Sequence, residues 1–487
     1  MTLEALLLEV WPHVAAAFTV LANVLATGHA VLRKRDVRAA VAWVGLVWLA
    51  PLVGVVLYLL LGINRIRRRG RGRSLALRQE HGQFSPKPTV AVCTPETLAA
   101  AVPTASHLAS LSRLVDEVVR HRPLLPGNRL VPLEAGEGAY PAMLEAIDAA
   151  RTSVSLCSYI FDNDEAGRPF VEALGRAVKR GVQVRVLIDA LGVRYDWPPI
   201  TGRLRRAGVR AARFLPTLPT LARLPFMNLR NHRKLLVVDG RVGFTGGMNI
   251  REHFLPSHGD ARDLHFRVEG PVVGQLQETF AEDWAFTTKE HLKGEVWFPP
   301  LEPVGPVFAR GIPDGPDEDF ETLRLTLLGA LACARSTVRI VTPYFLPDAA
   351  LVTALNVAAL RGVRVDVVLP EKLNLPVVQW AATAQLWQVM RPHCRVFLTA
   401  PPFDHTKLMV VDGAWSLVGS ANWDPRSLRL NFEFDVECYD VELATRLDAL
   451  IDERLSRARL LTLEELTDRS LPIRLRDGVA RLLSPYL

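Results

Sequence analysis

Two long uncharged runs open the chain, and short apolar strands alternating with amphipathic helices follow them. From Val10 to Leu32, and again from Ala39 to Gly62, there is no Asp, Glu, Lys or Arg. Each run exceeds the ~20 residues needed to cross a bilayer core, so the pattern predicts two transmembrane helices. A cleaved signal peptide would begin with basic residues, whereas Glu4 and Glu9 occupy that end and a second apolar run follows at once. The connector carries Arg33, Lys34, Arg35 and Arg38, and the segment after the second run carries Arg65, Arg67, Arg68, Arg69, Arg71 and Arg73. The larger cluster predicts a cytoplasmic body with both ends of the anchor on that side. A shallow hairpin that leaves both clusters on one face is the alternative.

Beyond residue 62, a basic juxtamembrane segment and linker (63–128) reads as mixed, with some helix. A duplicated body then begins. In its first half Val154–Ile160 reads as a strand, Arg168–Arg180 as a helix and Val182–Ile188 as a second strand after the stop at Gly181. The second half repeats the order with Val338–Tyr344, Pro347–Arg361, Gly362 and Val363–Leu369. A repeat this long predicts an α/β fold of two α/β/α halves (129–300 and 301–465) packed with pseudo-twofold symmetry, rather than a solenoid. In the tail (466–487), Leu471, Leu475, Val479, Leu482 and Leu483 recur at helical spacing among Arg474, Arg476 and Arg481. Packing onto the protein's own core is expected there, with an interfacial helix as the alternative.

Composition narrows the classes. In 487 residues, 49% of them hydrophobic, there is material for two cores with apolar sequence left over. Cys93, Cys157, Cys333, Cys394 and Cys438 form no C-x-x-C pair, so neither a disulfide framework nor a zinc site is suggested. A net charge of +7 fits nucleic acid or anionic lipid, and the two apolar runs favour lipid. Between Thr201 and Lys234 lie eight arginines and one lysine with no acid, a segment able to guide lipid headgroups or simply to form a solvated helix and a packed loop.

The chemistry is concentrated in a second repeat. His232, Lys234, Asp239 and Gly240 are matched by His405, Lys407, Asp412 and Gly413, and Asn249 and Asn422 each follow their histidine by 17 positions. Each motif reads as a buried strand entering a tight turn, and residues two apart in a strand share a face. Each half therefore presents an imidazole with an ammonium, and pseudo-twofold packing would bring the two pairs together. A neutral imidazole is a nucleophile and a protonated one a general acid, so a facing pair can divide a displacement at phosphorus through a covalent histidine intermediate. The lysines, helped by the asparagines, suit the oxygens of a phosphate. No metal or other cofactor is required. Asp263 and Glu433 are expected to orient the imidazoles, as the third member of a triad does. Asp239 and Asp412 join the catalytic set, with anchorage of the turn or the lysine favoured over a reacting role. His253, His258 and His265 invite a metal hypothesis that their spacing does not support. Trp423 could line the pocket, and a core aromatic is the simpler reading.

The two H-x-K-x4-D motifs resemble the phospholipase D superfamily, and the whole chain resembles bacterial cardiolipin synthases. The run from Trp48 through Pro51 and Gly54 to Tyr58 and Gly62 is similar to that family's membrane domain, and the run from Leu417 to Glu433 is close to its signature. One departure is Gly247, where a hydroxyl residue is often found and Ser420 stands in the other half. The resemblance implies two phospholipase D-like halves in a multi-pass protein of the inner membrane. It also implies transfer of a phosphatidyl group between two phosphatidylglycerol molecules, giving cardiolipin and glycerol. His232 is assigned as nucleophile and His405 as acid/base, the converse staying open. A phospholipase D-type hydrolase, or a transferase using another donor or acceptor lipid, is the nearest alternative. A nuclease and an inactive membrane module are further ones. A homo-oligomer is compatible with the sequence, which does not set the oligomeric state.

Overall fold

A computed structural model of the chain describes residues 3–34, 37–62, 90–215, 229–259, 261–316, 321–391 and 394–484. The described residues up to 62 belong to one compact unit and those from 90 onward to another. The arginine cluster at 65–73, and residues 216–228 of the basic stretch before Lys234, lie outside the described residues.

In the N-terminal unit, α1 (Leu3–Arg33) contains a 24-residue window, Val10–Arg33, long and apolar enough to cross a membrane. The second apolar run is different. Helix α2 (Val37–Leu49) stops after 13 residues, Leu52 takes a positive φ of 66°, and the chain continues as α3 (Val53–Leu57) and a π turn, Tyr58–Gly62. Pro51 has no amide hydrogen with which to prolong α2. Gly54 lets α3 lie directly on α2, because a Cβ there would stand 2.4 Å from the Leu46 carbonyl oxygen. The reversal sets the Tyr58 ring 5.3 Å from that of Trp43 and its hydroxyl 2.7 Å from His29 Nδ1. A 13-residue helix rises about 20 Å, short of a hydrocarbon core of about 30 Å. The expectation of two spanning helices is therefore corrected: among the described residues one helix is long enough, and the second run is a broken helical hairpin.

The body is built on strands β1 (Leu125–Glu134), β2 (Ser153–Ser158), β3 (Gln183–Asp189), β4 (Arg210–Phe214), β5 (Arg230–Asn231), β6 (Leu235–Val238), β7 (Val242–Gly246), β8 (Ala261–Arg262) and β9 (Leu264–Glu269) in its first half. The second half holds β10 (Val307–Asp314), β11 (Thr337–Val341), β12 (Arg364–Pro370), β13 (Arg395–Thr399), β14 (Phe403–Asp404), β15 (Leu408–Val411), β16 (Trp415–Gly419), β17 (Asn431–Tyr439) and β18 (Ala458–Leu460). One sheet runs through both in the order β4-β3-β2-β6-β7-β9-β1-β10-β17-β16-β15-β11-β12-β13-β18. The antiparallel pair β1–β10 stands at its centre, and the orders on either side match under a twofold. The duplicated strand, helix, strand units predicted around Gly181 and Gly362 are present, with helices at Gly167–Lys179 and Ala349–Leu360.

Two segments outside the duplicated units pack on the body. The region taken as a linker contains helix Ala109–Val118, whose Leu111 and Val115 are fully buried in the apolar core of the second half, against helix Thr322–Cys333. Arg310 on β10 ties it down by pairing with Asp116 and, at 2.6 Å, with Glu437. In the tail, helix Leu471–Leu482 docks on helix Pro376–Thr383 through Ala480 and through Arg476, which lies 4.4 Å over the Trp380 ring. Its Leu471, Leu475, Val479 and Leu482 stay exposed, so they are not the packing face they were expected to be. Small and basic residues make that contact instead.

If residues 109–118 are structural, Leu111→Ala should lower the unfolding free energy by about 3 kcal/mol, the usual cost of emptying a fully buried leucine site. Denaturant unfolding of the full chain in detergent reads this; a change within about 0.5 kcal/mol, normal for a surface position, would restore the linker view.

Candidate active site

Each motif strand, β6 and β15, is buried along its length and ends in an Asp-Gly turn with positive φ at both residues: 53° and 63° at Asp239 and Gly240, 51° and 60° at Asp412 and Gly413. That geometry is the hairpin turn matching strand twist. The aspartates hold what precedes the neighbouring strand. Asp239 accepts from the amides of Arg151, Thr152 and Ser153 at 2.7–3.1 Å, and Asp412 from those of Arg335, Ser336 and Thr337, each at 2.8 Å. His107 adds a further bond to Asp412 at 2.7 Å. These contacts are anchors at the strand end remote from the histidines. They match anchorage of the turn, the role favoured for both aspartates over a reacting one, and neither aspartate is bonded to its motif lysine.

At the other strand end the halves exchange partners. His232 Nδ1 lies 2.9 Å from Glu433 Oε2, and His405 Nδ1 lies 2.7 Å from Asp263 Oδ2. Each imidazole is thus held by a carboxylate of the opposite half. The backbone repeats the exchange: β5 pairs in parallel with β17, β14 with β8, His232 N donates to Phe432 O at 2.9 Å and His405 N to Arg262 O at 2.7 Å. Arg233 strengthens one brace by donating to Asp283 at 2.6 Å and to the Glu433 carbonyl at 2.9 Å.

Lys234 Nζ donates to the His232 carbonyl at 2.6 Å, and Lys407 does the same to that of His405. Burial dominates the titration of all four groups. It depresses both imidazoles to about 4 although a carboxylate supports each, and the charges of both lysines, the motif's own ahead of the other half's, depress them further. It lowers Lys234 to about 7 and Lys407 to about 8, with Glu433 and Asp263 opposing the fall. With the exchanged carboxylates, this sets the two motifs close to one another. Both orienting carboxylates stay below their usual range despite complete burial, because the lysines and histidines outweigh it.

The remaining candidates support this frame. Ser420 Oγ donates to Glu433 Oε2 at 2.6 Å and Asn431 Nδ2 to its Oε1 at 3.0 Å. In the first half a Cβ at Gly247 would stand 2.4 Å from Asp263 Oδ1, so the space a side chain would fill there is taken by the Asp263 carboxylate itself. Asn249 Oδ1 accepts from Ile160 N at 3.1 Å, and Asn422 Nδ2 faces Ser427 Oγ at 3.3 Å while its Oδ1 is buried without a hydrogen-bond partner among the described residues. Trp423 is buried against Phe345 as a core aromatic. His258 is bonded to Glu165 and His265 is buried in β9, and among the described residues no histidine, cysteine and carboxylate group fit to hold a metal is present.

Sequence reasoning missed the aromatic walls. Tyr159 packs on His232 with centroids 5.1 Å apart and lies 5.7 Å under Lys234 Nζ, while Tyr344 and Phe403 flank His405 at 6.4 and 5.8 Å. It also missed Arg233 and Asn431. The arginine inside the first motif, too polar for its buried place unless paired, was the available signal.

Two lobes of one topology, each lending a histidine and a lysine to a cross-braced site, define a phospholipase D-type protein. The model described as cardiolipin synthase, PLD-like domain, matches residues 143–284 and 327–455, and one described as phospholipase D-nuclease N-terminal matches 21–62. The chain belongs to the cardiolipin synthase family. It is 32% identical to the major cardiolipin synthase ClsA of Bacillus subtilis (strain 168), over 93% of this chain and 95% of that one. It is 34% identical to cardiolipin synthase A of Pseudomonas fluorescens (strain SBW25), over 98% and 99%. Among solved structures it shares its fold with phosphatidylserine synthase of Haemophilus influenzae Rd KW20, at a TM-score of 0.60 and 15% identity, over 77% of this chain and all of that one.

A pH dependence follows from the lysines. Their ammonium forms attract an anion, and with Lys234 lowered to about 7 and Lys407 to about 8 that attraction fades as pH rises through this window. Sulfate, whose charge is constant there, should inhibit more weakly at pH 9 than at pH 6. Lys234→Arg should move the loss to higher pH, since a guanidinium stays charged. Inhibition that is flat with pH in the unaltered enzyme would mean the lysines do not titrate in this range.

Proposed function

We propose that the protein makes cardiolipin by transferring the phosphatidyl group of one phosphatidylglycerol to the terminal hydroxyl of another. The reciprocal bonds His232–Glu433 and His405–Asp263 carry this reading: they fix both Nδ1 atoms and leave both Nε2 atoms for substrate. The names of the relatives agree with it.

His232 Nε2 attacks phosphorus as the bond from phosphorus to the headgroup oxygen breaks, and His405 gives its proton to that oxygen, so glycerol leaves. The second phosphatidylglycerol then yields a hydroxyl proton to His405 while its oxygen bonds to phosphorus and the phosphorus–nitrogen bond breaks. Both imidazoles return to their starting state. Two lysines and two carboxylates balance in the resting site. A phosphodiester anion entering it favours uptake of one proton, which arms the acid. Glu433 shares its charge with Ser420 and Asn431, so it supports an imidazolium less than Asp263 does, and this favours His232 as the neutral nucleophile. The lysines supply the positive charge a metal would otherwise bring, so turnover should survive chelators. The histidine side chains are 12% and 11% exposed, which disfavours water as acceptor.

Headgroup-labelled phosphatidylglycerol in bilayers tests the reading. Cardiolipin with free glycerol is expected; phosphatidic acid would assign a hydrolase, and no turnover would remove phosphatidylglycerol as substrate. With His405→Ala, intact mass should show lipid phosphate retained on His232. Finding it on residue 405 in the converse variant, with none on His232, would reverse the roles.

We further propose that α1 alone spans the inner membrane, while α2 and α3 dip in and return, leaving both basic clusters on the cytoplasmic side. In a cysteine-free background, Lys34→Cys and Arg65→Cys should react with an impermeant maleimide from the same face. Labelling from opposite faces would restore a second span.

A further inference from the structure

Arg230 opens the two-residue strand β5 and His232 follows it, its amide bonded to Phe432 O as the pairing with β17 runs on; two residues of extended chain rise about 7 Å and return to one face. Asn231 between them points the other way, its amide bound to Asp283 at 2.8 Å. Arg230 is 7% exposed; its Nη1 turns to the Leu229 carbonyl at 2.7 Å, and its Nε is buried with no hydrogen-bond partner among the described residues. Asn431, its register partner on β17, donates its amide to the Arg426 carbonyl at 2.9 Å, which brings a second, half-buried arginine alongside. Burial weakens the Arg230 cation, Asp189 supports it and the like charge of Arg426 opposes it. Asp189 is itself taken up by the amides of Asn231 and Leu191 at 2.9 and 2.8 Å. Tyr159 walls the space, with His232 on one side and, at 6.4 Å between centroids, Tyr195 on the other.

A nearly buried guanidinium with an unused donor beside a second cation calls for an anion. The phosphate under attack already has the two lysines. The reaction proposed above brings another: the acceptor carries its own phosphodiester, three carbons from the attacking hydroxyl. The separation of Arg230 from His232 along the strand is comparable with that three-carbon bridge.

We propose that Arg230 and Arg426, walled by Tyr159 and Tyr195, form a second phosphodiester subsite that holds the phosphate of the acceptor phosphatidylglycerol and aims its hydroxyl at the phosphorylated histidine. This rests on the cardiolipin-forming reading and adds what would distinguish a lipid acceptor from a bare alcohol. Glycerol, which lacks the phosphate, would reach the intermediate without the subsite and regenerate phosphatidylglycerol.

The test supplies the full-length enzyme with vesicles of phosphatidylglycerol in phosphatidylcholine plus labelled glycerol, and measures the ratio of cardiolipin formed to label exchanged into phosphatidylglycerol. Arg230→Gln should lower that ratio about tenfold, the scale of one charge-assisted hydrogen bond, and Arg230→Lys should recover part of it. Both products falling together at an unchanged ratio would make Arg230 a support of His232 and overturn the subsite. If Arg230→Gln does not fold, Arg426→Gln decides by the same ratio. Unaltered enzyme that yields neither product refutes the cardiolipin-forming reading itself, an outcome distinct from an unchanged ratio.

Discussion

Neither half of this chain can orient its own histidine. The carboxylate that holds each Nδ1 comes from the other half, so the site exists only when the lobes are fixed to within hydrogen-bond distance. Much of the fold serves that constraint. The sheet passes through the β1–β10 pair without an edge between lobes, the two-residue strands β5 and β14 are bonded to the opposite carboxylate strands, and Arg233 ties Asp283 to the Glu433 backbone. A hinge between lobes would break both imidazole bonds at once. Bonds this buried are costly to leave unmade.

The same burial sets the electrostatics. Taking two histidines out of water leaves them neutral and ready as bases, and taking two lysines out of water brings them to the edge of neutrality. Glu433 and Asp263 keep their charge only because those cations face them. Asp424 and Asp435, buried nearby, are pushed up by that burial and by the charge of Glu433, Asp424 to about 7, although Arg426 opposes the rise at Asp424 and both lysines oppose it at Asp435. The pocket therefore holds charges that balance until an anion arrives.

Much of this was legible in the sequence because local rules govern it. Gly181 and Gly362 punctuate matching units, the Asp-Gly pairs mark hairpin turns, and the two-residue spacing sets each lysine beside its histidine. Asp263 and Glu433 could be named as orienting groups from their distance to the asparagines, but which histidine each would hold depends on the packing of lobes, about which strand alternation is silent. The second apolar run was misread because an uncharged run reports length and not chain direction; Pro51 and Gly54 carried the missing information. Leu111, Leu114, Val115 and Val118 do recur at helical spacing, yet their partner helix begins at Thr322, beyond the reach of any local pattern. The tail fails for a related reason, since core-facing and water-facing leucines share one period.

A duplicated site faces one further demand. Two steps through a covalent intermediate require one histidine to attack and the other to move protons, so identical halves would compete for both tasks. The braces differ between the halves. Glu433 is long enough to reach Ser420 and Asn431 as well as His232, whereas Asp263 sits against Gly247 and takes the amide of Leu264. A carboxylate shared among more donors stabilises a neighbouring imidazolium less. On the reading proposed above, exchange of one methylene for one hydroxyl between the halves would bias where a proton rests, and a symmetric scaffold would acquire a direction without altering any group that would touch phosphorus.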